Sequence, residues 1–256
     1  LRLPLLDVEI TPMDAGEVVA LVESHDGSGL PFLIANHNLH SIFVFWTDEV
    51  FRSVYERASV VLIDGWPVLA WARWFARERK LSARHRIGST DWVLQLLKDS
   101  VRPLKIVAVG GSPLSSAGAA EAMLERFPRH EWRAYDGFEF QCQTPSSYGC
   151  STLHADLVRA DVVLVGMGMP HQESWILENW SRLSGAVVAN VGGCFDYFSG
   201  VQDLAPRWMG SVGLEWAFRL CRSPRRLAYR YLVEPFLLLA LVGRRALRNG
   251  VRRFQS

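Results

Sequence analysis

The chain of 256 residues is long enough to bury a substantial core, and 49% hydrophobic against 21% charged residues excludes a disordered polypeptide. Net charge is only +2, yet positions 207–256 hold eleven arginines against Glu215 and Glu234, or +9, which leaves −7 on the first 206 residues. That asymmetry calls for a partner, while four cysteines without C-x-x-C spacing argue against a zinc site or a disulfide framework.

No secretory signal precedes the first predicted helix, and no apolar run approaches the roughly 20 residues of a membrane span, so reduced, cytoplasmic thiols are the expectation. Residues 1–13 read as a short lead-in with Pro4 and Pro12. Asp14 and Glu17 have the spacing of a capping box for a helix over 15–23. After the turn-rich stretch 25–31, residues 32–35 read as a buried strand ending in Asn36-His37-Asn38. A helical stretch over 40–58, broken near Thr47, precedes a strand over 59–63 that stops at Asp64-Gly65. A helix over 66–79, a basic loop over 80–88 and a helix to Lys98 capped by Ser89 or Thr90 follow.

A strand, glycine turn and helix then recur. The first copy is 104–109, Gly110-Gly111-Ser112-Pro113 and a helix over 115–127. The second is 162–166, Gly166-Met167-Gly168-Met169-Pro170 and a helix from Gln172 to about Trp180. Between them lie 132–149, with Tyr135-Asp136-Gly137-Phe138 and a loop around 144–149. A third turn, Gly192-Gly193, follows a strand over 186–190. Strands alternating with helices imply a parallel sheet covered on both faces. Asn38, Asp64, Gly111, Gly168 and Gly193 all fall just past strand ends, so they should converge on one crevice. A glycine turn feeding a helix leaves backbone N–H groups and the positive end of the helix dipole aimed at one spot, which suits a phosphate. Gln172 and Glu173 are expected to face whatever that turn cradles. His171 holds the third glycine position, so this is not the dinucleotide fingerprint.

Asp64, at the end of an apolar strand, is the candidate base, the plain alternative being a turn aspartate. Asn36 and Asn38 can orient a sugar hydroxyl or cap the next helix, and His37 and His40 read as helix-entry or packing residues rather than metal ligands. No Asp-x-Asp or His-x-x-x-His spacing occurs, so no metal is expected, and a leaving phosphate would be met by helix N-termini and arginines such as Arg86. In the tail, Arg219, Arg222, Arg225, Arg226 and Arg230 alternate with Trp216, Leu220, Leu227, Tyr231 and Leu232, and an apolar run to Val242 precedes Arg244-Arg245. Such a segment lies on an anionic bilayer without crossing it, or packs back as a surface helix; nucleic acid is disfavoured, since no binding motif accompanies the charge. These features favour nucleotide-sugar transfer over a Rossmann-type oxidoreductase or a non-catalytic membrane module.

The motifs, in order, resemble bacterial glycosyltransferase family 26, which includes N-acetylmannosaminyl transferases of teichoic acid and enterobacterial common antigen synthesis. The resemblance runs from about Pro31 to Tyr231. It is carried by Asn38, Asp64-Gly65, Arg86-Ile87-Gly88-Ser89-Thr90-Asp91, Val109-Gly110-Gly111-Ser112-Pro113, Asp136-Gly137-Phe138 and the Gly166 to Glu173 turn. Its most specific part is Gly193-Cys194-Phe195-Asp196, Ser199-Gly200, Ala205-Pro206-Arg207-Trp208 and Gly213-Leu214-Glu215-Trp216 with Arg219. The resemblance implies an α/β fold: a Rossmann-like parallel sheet with helices on both faces over residues 1–205, and a basic helical membrane-association appendage over 206–256. It further implies inverting, metal-independent transfer from a UDP-sugar to an undecaprenyl-diphosphate-linked saccharide in cell-surface polysaccharide synthesis, with no cofactor. The donor stays open between N-acetylmannosamine and glucose. By resemblance Asp64 is the base, Asn38 and Gln172 line the sugar and acceptor site, and Arg86 meets the phosphates. Gly110, Gly111, Gly168, Pro170, Glu173 and Gly193 hold the nucleotide-sugar, with Asp196 at the uridine. Arg207, Arg219, Arg222, Arg225, Arg226 and Arg230 serve the acceptor and the anionic membrane surface. The expected location is the inner face of the cytoplasmic membrane, bound peripherally, with a homo-oligomer compatible with the reading. Asn36 stands where some members carry threonine, and Ser223 where an acidic residue is usual.

Overall fold

The computed structural model describes residues 1–75, 81–137, 148–206, 209–210 and 213–254. Six parallel strands make the central sheet: β3 (Phe32–His37), β4 (Val60–Ile63), β5 (Lys105–Gly110), β6 (Glu131–Tyr135), β7 (Val162–Gly166) and β8 (Val187–Asn190), in the order β4-β3-β8-β7-β5-β6. The chain starts with a small antiparallel pair, β1 (Arg2–Leu3) and β2 (Val8–Glu9), where the sequence suggested only a lead-in. Leu3, Leu6, Val8 and Ile10 of that segment are buried, which is why it folds back.

Burial on both sides explains the nearly continuous apolar strands. Val162 and Leu164 of β7 pack toward α1 (Ala15–Glu23), α5 (Ser89–Asp99), α6 (Pro113–Arg126) and α9 (Cys194–Phe198). Val163 and Val165 pack toward α3 (Glu49–Tyr55), α7 (Tyr148–Arg159) and α8 (His171–Glu178). The same face continues over β3 and β4 with α2 (Leu39–Thr47) and α4 (Trp66–Phe75). Each such valine or leucine contributes about 1.5–3 kcal/mol relative to exposure.

Helix starts follow local chemistry. Asp14 accepts from the Glu17 N–H at 3.0 Å while Glu17 accepts from the Asp14 N–H at 2.8 Å, the capping box read from the sequence. The break near Thr47 is Asp48, whose extended backbone ends α2 and whose carboxylate caps α3 at the Phe51 N–H. Ser112 caps α6 and Pro113 takes its first turn, so this helix begins two residues before the expected start. Neither Ser89 nor Thr90 caps α5; Gly88 precedes it, and the Asp91 carboxylate accepts the Gly88 N–H. Strand β3 runs two residues past the expected end, taking in Asn36 and His37. Two further elements were not anticipated. β6 is an edge strand on which only Trp132 is buried, so it lacks an apolar run, and α7 buries Leu153 and Leu157 from an otherwise polar stretch. Residues 76–80 of the predicted 66–79 helix and 80–88 loop, and 144–147 of the predicted 144–149 loop, lie outside the described residues, whereas Tyr148 and Gly149 already belong to α7.

The tail is helical as expected: α10 (Glu215–Arg222), α11 (Pro224–Ala228), a π-helical turn at Tyr229–Val233, and α12 (Glu234–Phe254). It does not stand apart. Leu238 and Val242 of α12 enter the core beside Ile42 and Phe45 of α2, so Leu238 is not free for a bilayer surface. Helical spacing puts Phe236, Leu237, Ala240, Arg244 and Leu247 on the opposite, exposed face. No helix among the described residues is long and apolar enough to cross a membrane.

Candidate active site

Because all six strands are parallel, the residues that follow β3, β4, β5, β7 and β8 meet at one edge of the sheet. Asn38, Asp64, Gly111, Gly168 and Gly193 are therefore brought to the same side, as the spacing predicted. The neighbours β3 and β8 send their chains to opposite faces, into α2 and α9, which opens a crevice between them.

At one end of the crevice the Asp64 N–H donates to the His37 carbonyl at 2.9 Å, extending the β3–β4 ladder and fixing the half-buried carboxylate at its tip. Asn38 does both things its type allows. Its side-chain oxygen accepts from the Ser41 N–H at 3.0 Å and caps α2, and its amide donates to Asp64 Oδ2 at 3.2 Å. Arg86 flanks this pair, since Ile87 N–H donates to the Ile63 carbonyl at 3.0 Å and lays the segment beside β4. Its guanidinium stacks over Trp66 and faces Glu215 of α10 at 3.5 Å, while Nε is buried with no hydrogen-bond partner. Trp66 in turn donates to the Gly210 carbonyl at 2.6 Å, so the approach to α10 packs on the site.

The tail supplies cations here. Burial opposes the charge on Arg219, but Tyr197, Asp64, Tyr231 and Glu215 together hold its pKa above the ordinary guanidinium value. Arg230 reaches Asn38 Oδ1 at 3.5 Å. Arg222 is exposed and paired with Asp203, and Arg225 is exposed. Arg207 and the Arg226 side chain lie outside the described residues.

The glycine turns stack against one another. A Cβ on Gly110 would sit 2.4 Å from the Gly166 carbonyl oxygen, and one on Gly166 would sit 2.6 Å from that of Gly192. The Gly111 N–H closes the contact on the Gly166 carbonyl at 2.9 Å. Gly168 (φ +79°) and exposed Gly193 line the open side, with half-buried Pro170 starting α8. Asp196 on α9 accepts from Ser115 Oγ at 2.6 Å and so ties α9 to the first turn of α6.

Gln172 and Glu173, expected to face whatever the turn cradles, are both buried beneath it. Gln172 Oε1 accepts the Gly192 N–H at 3.1 Å, and its Nε2 donates to Glu173 Oε1 at 2.8 Å. Asn190 donates to the same Glu173 oxygen at 2.7 Å and to the Tyr55 hydroxyl at 3.2 Å. Asn36 donates to the Asn190 carbonyl at 2.8 Å, and Tyr55 donates to the Asn36 carbonyl at 2.8 Å. The network is the floor beneath the glycine turns. Burial pushes the Glu173 carboxyl up to about 7 against the pull of its amide donors, and its Oε2 has no partner. His37 stacks on Tyr55 and is held near 3 by burial, a packing role as read from the sequence. Asn190 was legible as a polar end to an apolar strand; Tyr55 and Tyr197 carried no comparable signal, and Glu215 was marked only by its place in the Gly213-Leu214-Glu215-Trp216 motif. Among the described residues no group of three or more His, Cys, Asp or Glu side chains is gathered as metal ligands would be.

The family model described as "Glycosyl transferase WecG/TagA/CpsF family" matches residues 3–252. The chain is also 22% identical over 206 residues to proteins named N-acetylglucosaminyldiphosphoundecaprenol N-acetyl-beta-D-mannosaminyltransferase from Staphylococcus aureus strains MRSA252, MW2 and NCTC 8325. The match covers 80% of this chain and 77% of each relative.

Proposed function

Since the chain belongs to the WecG/TagA/CpsF family of glycosyltransferases, we propose that it moves a hexosamine from a UDP-sugar to an undecaprenyl-diphosphate-linked saccharide, inverting the anomeric centre without a metal. Membership of that family sets the oxidoreductase alternative aside. The relatives' names favour N-acetylmannosamine as the sugar and an N-acetylglucosaminyl-diphospholipid as acceptor.

The observation that carries the reading is Asp64, held at a strand end by the Asn38 amide with Arg86, Arg219 and Arg230 around it. Asp64 takes the proton of the acceptor hydroxyl as that oxygen attacks the anomeric carbon. The bond from this carbon to the β-phosphate oxygen breaks on the far side, and UDP departs with the electron pair. The charge growing on it is met by the arginines and by N–H groups at the glycine turns. Asp196 and the Gly110–Gly111 and Gly193 turns would hold the nucleotide. Gln172 and Glu173 serve by fixing the Gly192 turn that the donor lies against. Transfer takes place at the inner face of the cytoplasmic membrane, where the exposed face of α12 and Arg222, Arg225 and Arg244 meet anionic lipid.

Asp64→Asn should lower transfer by about 10²–10⁴, the usual contribution of a positioned base, while the thermal shift given by UDP stays as in the parent. A variant keeping more than half the parental kcat would remove Asp64 from the role.

A further inference from the structure

One buried histidine–carboxylate contact sits outside the chemistry above. Glu234, the first residue of α12, is 6% exposed, and its Oε2 lies 2.6 Å from Nδ1 of His40 on α2. A carboxylate covered this far is costly unless a specific partner meets it, so the contact is made deliberately and not by chance on a surface. Burial and the nearby Arg230 push the His40 pKa down while Glu234 pulls the other way.

The pair lies parallel to a second contact between the same two segments. His40 is two residues beyond Asn38, and Glu234 is four residues beyond Arg230, which reaches Asn38 Oδ1. Asn38 passes the contact to Asp64. Alone, the Arg230–Asn38 bond at 3.5 Å is at the long limit and would not hold a mobile guanidinium in place. The turn between Arg230 and Glu234 is π-helical, with the Glu234 N–H returning to the Tyr229 carbonyl. Such widened turns re-aim side chains and recur at functional sites.

We infer that His40 and Glu234 are positioning residues: together they latch the start of α12 onto α2 and so set Arg230 against the Asn38–Asp64 pair. The inference rests on the reading of Asp64 and Asn38 as the reacting centre. The latch is not what keeps the tail folded, because α12 is also held by Leu238 and Val242 in the core and by Arg245 against Trp46 and Asp7. Losing it frees Arg230 without releasing the helix. The cation then no longer waits where the phosphate charge develops.

The test uses full-length protein, a UDP-hexosamine and a short-chain polyprenyl-diphosphate acceptor, with kcat and KM measured for His40→Ala, Glu234→Ala, Arg230→Ala and the combinations with Arg230→Ala. Misplacement of about 1 Å costs up to about 100-fold, so each latch variant should lose about 10- to 100-fold in kcat with KM for the donor nearly unchanged. In the Arg230→Ala background the same changes should cost nothing further. Hydrogen exchange at residues 229–233 should rise in both latch variants while that of α2 and the strands does not, which reads the latch without turnover. Full kcat in folded latch variants, or an equal loss with and without Arg230, would overturn the inference. If Asp64→Asn is active, the underlying site reading fails instead; if Asp64→Asn is inactive and the latch variants are silent, only the latch fails.

Discussion

At the scale of single residues, Glu173 makes a sharp prediction about pH. Its carboxyl is raised from 4.5 to about 7 in the folded protein, burial being the cause. The unfolded chain therefore releases this proton from about pH 4.5, whereas the folded chain keeps it until near 7, so the native state binds more protons across that window. Stability from this group falls as pH rises through the window and levels above it. At about 1.4 kcal/mol per pH unit the loss is on the order of 3 kcal/mol. Glu173→Gln keeps the acceptor for Gln172 and Asn190 but cannot ionise, so its unfolding free energy minus that of the parent should climb between pH 5 and 7.5. A difference that stays flat in urea titrations would place a charged Glu173 in the fold. The residue scale also shows what a sequence conveys about a site. Asp64 and Asn38 were legible because polar residues ending apolar strands must meet at one sheet edge. The inward turn of Gln172 and Glu173 was not, because spacing locates a helix start but not the rotation that decides which side chains reach the core.

At the scale of elements, the stacked glycine turns set the shape of the crevice. Gly110 has φ +127°, and an added Cβ would sit 2.4 Å from the Gly166 carbonyl oxygen, a backbone atom that cannot swing aside. Gly168 has φ +79° and open space around it, so alanine there meets only the left-handed backbone penalty of about 1–2 kcal/mol. Gly110→Ala should accordingly lower Tm well beyond Gly168→Ala, by parting β5 from β7 at the site. Equal losses in calorimetry would mean the turns are not in contact. The strand, glycine turn and helix units were read from sequence because buried strands between glycines have no other assignment. β6 and α7 escaped because an edge strand and a helix with two buried leucines carry too little apolar pattern to declare themselves.

At the scale of the whole molecule, charge is separated: an acidic body and a basic tail that is bonded to the body as well as exposed. Leu227, Leu238 and Val242 are buried, so deleting the tail would strip the core and confuse two effects. The outward face can be changed alone. Phe236→Ser, Leu237→Ser and Leu239→Ser in one protein should leave Tm close to the parent's and reduce sedimentation with vesicles containing phosphatidylglycerol. Arg222→Glu, Arg225→Glu and Arg244→Glu should do the same at low salt, since each cation near an anionic surface is worth on the order of 1 kcal/mol. Parental binding itself should weaken steeply between 50 and 300 mM salt, where the screening length shrinks from about 14 to about 6 Å. Unchanged sedimentation in both triple variants would leave the tail as packing only.

The stereochemistry of transfer discriminates the proposed reaction from its alternatives. The full-length protein is incubated with UDP-N-acetylmannosamine and an N-acetylglucosaminyl-diphosphopolyprenol in excess EDTA, and the new linkage is assigned by NMR alongside released UDP. One UDP should be released per disaccharide, with an anomeric configuration opposite to that of the donor, a rate untouched by EDTA and product formation by Asp64→Asn lowered by about 10²–10⁴. Retention of the donor's configuration, or transfer that stops in EDTA and returns with a divalent ion, would contradict it.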